Sequence, residues 1–147
     1  MSEPTSTGVL SARDLKRIAE EKETAKLQEY LAKKRAAEEE EQKALNEFME
    51  RDVRPDAVDR FNQMVRRAAE EGHSEILVTQ FPSHFCTDRG RAINNFDPSW
   101  PETLTGFAKK VHEKFTVVLE PQGYKIRAQI LNYPDGGLGD VGIYIGW

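Results

Sequence analysis

The first 52 residues carry a sparse, irregular pattern of apolar positions in a background of charge. Between Ala12 and Arg51 there is no proline or glycine, and Ala, Glu, Lys, Leu, Gln and Arg predominate. This composition predicts one long α-helix, for which Ser11 is a suitable N-cap. Pairs such as Glu29 and Lys33, four residues apart, favour a solvated helix by about 0.2–0.5 kcal/mol each.

Apolar residues at helical spacing form three separate groups along this helix. The groups are Leu15 with Ile18, Leu27 with Leu31, and Leu45 with Phe48 and Met49. Steps of three and four through the middle meet Lys34, Glu38 and Glu41, so the stripe lacks the unbroken heptads of a coiled coil. We expect the following domain to cover the third group. We predict that Leu15, Ile18, Leu27 and Leu31 contact a protein partner, with homo-oligomerisation through the arm left open.

After Pro55 the pattern changes to regular helical and strand periods. Asp56 can cap a helix that Gly72 ends, and residues 75–81 read as a short apolar strand. Ser99 and Glu102 match a capping box, which predicts a second helix running to about residue 119. Alternation over 124–130 and 141–147 predicts two strands, and the turn-rich loop between them favours an antiparallel hairpin. The two helices carry their apolar residues at steps of three and four: Val58, Phe61, Met64 or Val65, and Ala68 in the first, and Leu104, Phe107, Ala108, Val111 and Phe115 in the second.

The order helix, strand, helix, strand, strand predicts an α+β fold. Two helices on one face of a three-stranded, mainly antiparallel sheet would bury both sets of apolar residues. We therefore divide the chain into a disordered leader (1–10), a charged helical arm (11–52) and a small α+β domain (53–147). Nine of the ten glycines lie in the last of these segments.

Composition limits the classes of partner. The net charge of −4 offers no basis for bulk binding to nucleic acid or to an anionic membrane. No run approaches the ~20 apolar residues of a membrane span, and the N-terminus lacks the pattern of a signal peptide. The single cysteine excludes an intramolecular disulfide, so we expect a cytoplasmic protein. Cysteine and histidine also lack the paired spacing of a zinc site, and we predict neither metal nor cofactor.

Cys86, the single cysteine, is the candidate nucleophile, with His84 or His112 as the candidate base. A thiol becomes reactive when a neighbouring imidazole or cation lowers its pKa. On a strand, however, His84 and Cys86 would stand about 6.5 Å apart, too far for a direct hydrogen bond. The alternative is that Cys86 is a small buried apolar residue, as free cysteines often are, and the pattern favours that alternative.

A second candidate site is an anion-binding loop formed by Arg89, Gly90 and Arg91, with Asn94 adding amide contacts. Two guanidinium groups suit phosphate or carboxylate, and a short helical turn capped by Asp88 or Thr87 would follow. The alternative is that one arginine pairs with Asp88 or Asp97 and only holds the loop.

The functional expectation is a non-enzymatic adaptor that binds a protein partner through the helical arm. A small enzyme or anionic-ligand-binding protein that uses the loop around Cys86 is the second hypothesis. As an enzyme, the chain would be a transferase or hydrolase with a cysteine nucleophile.

Overall fold

The computed structural model describes residues 8–147 and divides the chain after Ala44 into two compact units. The second unit is Leu45–Trp147. The predicted leader, 1–10, lies mostly outside the described residues, and its last three residues have no regular structure.

Helix α1 covers Ala12–Glu50, close to the predicted bounds. The predicted cap is confirmed, because the Asp14 backbone N–H donates to Ser11 Oγ at 3.1 Å. The expected Glu29–Lys33 ion pair is also present, with Oε1 and Nζ 3.1 Å apart. Among the described residues, no helix has both the length and the apolar composition needed to cross a membrane.

The second unit is an α+β domain, as predicted. Its α-helices and strands are α2 (Ala57–Glu70), β1 (Glu75–Pro82), α3 (Arg91–Asn94), α4 (Gly106–Lys114), β2 (Lys125–Ile130) and β3 (Asp140–Gly146). The strands form one antiparallel sheet in the order β1-β3-β2, and β2 and β3 pair as the expected hairpin.

The central strand β3 contributes the most deeply buried side chains of the core. Val141, Ile143 and Ile145 are its largest fully buried side chains, and they alternate along one face of the strand. Leu45 and Phe48, from the end of α1, pack against this core, whereas Met49 is exposed. The last two turns of α1 therefore contribute side chains to the domain, as expected for two members of the third apolar group.

The predicted capping box at Ser99 is wrong. The Ser99 hydroxyl donates to Asp97 Oδ1 at 2.8 Å and caps no helix. Residues Trp100–Thr103 form a 3₁₀ turn, and the chain is extended at Leu104. Helix α4 begins only at Gly106, whose φ of +51° lies in the left-handed region that favours glycine.

The α-helix also ends earlier than predicted, at Lys114. Residues Phe115–Leu119 continue it as a π-helical turn, in which the Glu120 N–H donates to the Phe115 carbonyl oxygen. This segment carries three consecutive β-branched residues, Thr116 to Val118, which crowd a regular helix. The Thr116 hydroxyl also donates to the His112 carbonyl oxygen at 3.0 Å, a bond that bends helices.

Candidate functional site

Cys86 is a buried core residue beside the 3₁₀ turn Ser83–Phe85. Its backbone N–H donates to the Ser83 carbonyl oxygen at 3.0 Å, and its side chain is 4 % exposed. The pKa of the thiol is raised from 9.0 to about 11, chiefly because the group is buried; a hydrogen bond with Thr103 opposes the shift, and the Asp88 charge adds to it. A nucleophilic cysteine needs a lowered pKa. The environment of Cys86 thus favours the neutral thiol, and its catalytic role stays a prediction without geometric support.

The two candidate bases both contact aromatic rings. The exposed His84 ring meets Phe85 edge to face, with centroids 5.0 Å apart. The half-buried His112 lies edge to face with Trp100 at 5.8 Å and is tilted against Phe115 at 6.3 Å. These contacts account for both histidines as packing residues of their segments.

The loop that follows Cys86 already contains an anion of its own. The Asp88 carboxylate accepts the backbone N–H groups of Gly90 at 2.9 Å and Ala92 at 2.8 Å. The N-cap position of the short α3 is Gly90, not Asp88 or Thr87 as expected, but the Asp88 carboxylate still accepts N–H groups at the start of this helix. It occupies backbone donors that an external anion would need. Gly90 is required here because its φ is +89° and an added Cβ would lie 3.0 Å from Ser83 Cβ.

The other members of the predicted anion site do not converge on a ligand position. Arg89 and Arg91 are exposed, and neither makes an ion pair with a described residue. The alternative in which one of them pairs with Asp88 or Asp97 is therefore wrong, since Asp88 holds the loop through backbone groups. The Asn94 amide oxygen accepts the Tyr133 hydroxyl at 3.0 Å.

The candidate partner-binding residues of the first unit are exposed. Leu15, Ile18, Leu27 and Leu31 have exposed fractions of 52, 53, 57 and 47 %. Tyr30, which sequence reasoning did not select, is 61 % exposed. Because positions three and four apart share a helix face, Tyr30 and Leu31 extend the surface of Leu27.

Sequence reasoning missed a cavity between α2 and the C-terminal part of α4. We call it the α2–α4 cavity; it has a volume of about 210 Å³. Its walls and floor are apolar: Val58, Phe61, Val78, Phe115, Val118 and Ile145. An open groove shares Val58, Val118 and Leu119 with it and continues toward Trp147. In the sequence these positions are indistinguishable from ordinary core residues, so only the fold shows that they leave a space.

Four cationic residues line the same cavity: Arg51, Arg54, Arg60 and Lys114. No aspartate or glutamate is among its lining residues in the described chain. Asp56, the predicted cap of α2, makes no side-chain capping bond. Its carboxylate instead lies 3.1 Å from Arg54 Nε and 3.8 Å from Arg60 Nε.

Within the described residues, no group of three or more His, Cys, Asp and Glu side chains is arranged to hold a metal ion. Comparison of the chain with family models, curated proteins and solved structures finds no match. The functional argument therefore rests on the surfaces and the cavity described above.

Proposed function

We propose that this chain is an interaction protein that binds a protein partner through the exposed apolar surface of α1. The observation that supports this most directly is the group formed by Leu27, Tyr30 and Leu31, three large apolar side chains that are each about half exposed or more. Exposed apolar groups on a helix are typical of helix-mediated recognition. Leu15 and Ile18 add a second, smaller surface toward the N-terminus.

A different protein fits this surface better than a second copy of the chain packed in parallel. In a parallel pair of identical helices, each residue of the broken stripe meets itself, so Lys34 would face Lys34 and Glu38 would face Glu38. Like charges at such positions select against pairing. A partner helix with complementary charges would instead gain from the same residues.

The test compares two full-length double variants by affinity capture from cell extract and then by titration of the purified captured protein. Leu27→Ser with Leu31→Ser removes both leucines of the apolar group and leaves Tyr30 in place. Ala32→Ser with Ala36→Ser introduces the same two serines at other exposed positions of the same helix. We expect the leucine variant to weaken binding at least tenfold, since central apolar anchors each contribute about 1–2 kcal/mol. The alanine variant should bind as the parent protein does.

Two results would overturn the proposal. We call the group of Leu27, Tyr30 and Leu31 the Leu27 surface. Equal binding by the leucine variant and the unchanged protein would show that the partner does not bind at the Leu27 surface. A parent protein that is dimeric by light scattering, and that the leucine substitutions convert to a monomer, would assign the surface to a second copy. Removal of residues 1–40 provides a further check, because it should abolish capture and leave the second unit folded.

A further inference from the structure

The α2–α4 cavity is deep enough to hold an apolar group. Phe115 and Ile145 line it although they are only 4 and 2 % exposed, so its floor reaches the buried hydrophobic cluster that these two residues form with Phe61. An apolar cavity of about 150 Å³ accommodates benzene. At about 210 Å³, this cavity has room for an apolar group of roughly six to eight carbon atoms.

The π-helical turn forms one wall of the cavity. Phe115, Val118 and Leu119 all line it, whereas Val117 points outward and is 74 % exposed. A π-helical turn contains one more residue per hydrogen-bonded ring than an α-helix, and such turns are frequent at functional sites. The irregular end of α4 thus coincides with the cavity, and a regular helix would present different residues to it.

The positive charge at the cavity is only partly balanced within the protein. Asp56 supplies one carboxylate to two guanidinium groups, those of Arg54 and Arg60. The Arg51 guanidinium lies over the Phe107 ring at 4.0 Å, a contact that leaves its charge uncompensated. The Lys114 ammonium group makes no ion pair or hydrogen bond with a described residue.

We propose that the α2–α4 cavity binds a small amphiphilic anion, with an apolar tail of about six to eight carbons and a carboxylate head. The tail would contact the floor, and the head would meet Lys114 and the neighbouring arginines. An apolar cavity with exclusively cationic charged lining selects against neutral and cationic molecules of the same shape. This site is separate from the Leu27 surface and does not depend on the function proposed for it.

Octanoate is the probe, and 1-octanol and octylamine are its neutral and cationic counterparts with equal tails. Titration calorimetry on the full-length protein should show binding of octanoate at least threefold tighter than of octanol, with octylamine weaker still. Lys114→Met should weaken octanoate at least threefold and leave octanol unchanged. Lys109→Met is the matched control, because Lys109 lies on the same helix, is exposed and does not line the cavity.

Substitutions at two neighbouring valines test whether octanoate binds in the cavity. Val118→Trp places a large ring in the cavity and should abolish octanoate binding, whereas Val117→Trp adds the same ring to the exposed side of the turn. Thermal melting of each variant verifies that it is folded. Binding that survives Val118→Trp in a folded protein, equal affinities for octanoate and octylamine, or no octanoate binding at millimolar concentration would each overturn the proposal.

Discussion

Gly106→Ala tests whether the last turn of α1 belongs to the domain, because this glycine packs against the backbone of that turn. A Cβ atom at position 106 would lie 2.8 Å from the Phe48 carbonyl oxygen and 2.9 Å from Met49 Cα. Both are backbone atoms, so a change of side-chain rotamer cannot relieve the contact. The φ of +51° adds a second penalty for any residue with a side chain.

The expected loss of stability has two parts. The left-handed conformation costs an L-residue roughly 1–2 kcal/mol. Overpacking of a fixed site costs typically about 1–3 kcal/mol more. We therefore expect Gly106→Ala to lower the free energy of unfolding by about 2–5 kcal/mol, a large part of the ~5–15 kcal/mol of an ordinary domain.

Urea unfolding followed by tryptophan fluorescence measures this loss. Trp100 and Trp147 both lie in the second unit, so the signal is insensitive to melting of the first. Gly72→Ala is the control, since its φ is +86° and an added Cβ would meet nothing within 4 Å. Equal stabilities of the two variants, within about 0.5 kcal/mol, would refute the close approach of α4 to the end of α1.

Three further predictions concern carboxylates and the buried thiol. Cys86 should alkylate slowly at neutral pH; because burial raises its pKa from 9.0 to about 11, the native state keeps a proton that the unfolded chain loses. The stability that the protonated thiol contributes is therefore complete below pH 9 and is lost as the pH rises toward 11. The free energy of unfolding should fall by at most about 1.4 kcal/mol per pH unit in this range. The fall should be absent from Cys86→Ala. Asp88→Ala should lower the free energy of unfolding in urea by about 1–3 kcal/mol, because two backbone N–H groups lose their acceptor. Asp97→Ala, in an exposed turn, should lower it less. Equal losses in the two variants would contradict the prediction. Asp56→Asn should strengthen octanoate binding about two- to fivefold by calorimetry, because it removes the carboxylate that pairs with Arg54 and Arg60, and salt should reduce this gain. An unchanged affinity, or an equal gain in the control Asp59→Asn, would contradict the prediction.

The fold was predictable where local chemistry decides the structure. The long α1 follows from helix-forming residues and the Ser11 cap, and the β2–β3 hairpin follows from alternation on both sides of a turn-rich loop. The capping box at Ser99 failed because Ser99, with φ −81° and ψ 4°, lacks the extended backbone of an N-cap, and its hydroxyl oxygen accepts no N–H of the following turn. A match of residue types does not show whether the backbone adopts the conformation that a cap requires.

The candidate sites were predictable only as lists of residues. Asp88 was expected as a cap, yet the sequence did not show that its carboxylate would take the donors of the proposed anion site. The α2–α4 cavity depends on packing between segments that are about 50 residues apart, such as Phe61 and Phe115. No local pattern encodes the space that remains when such segments meet.

The two kinds of site differ in how completely the protein satisfies its own polar groups. Around Cys86, the thiol contacts Thr103, the Asp88 carboxylate accepts two backbone N–H groups, and the Asn94 amide oxygen accepts the Tyr133 hydroxyl. A ligand there would have to displace bonds that already exist, and each exchange would gain little. At the α2–α4 cavity, the Lys114 ammonium group makes no bond of this kind with a described residue, and apolar surface is left uncovered beside it. A ligand there would gain burial, and it would pair with Lys114 without displacing an existing bond of that ammonium group. On this argument, unsatisfied groups are a better guide to a binding site in this chain than reactive residue types.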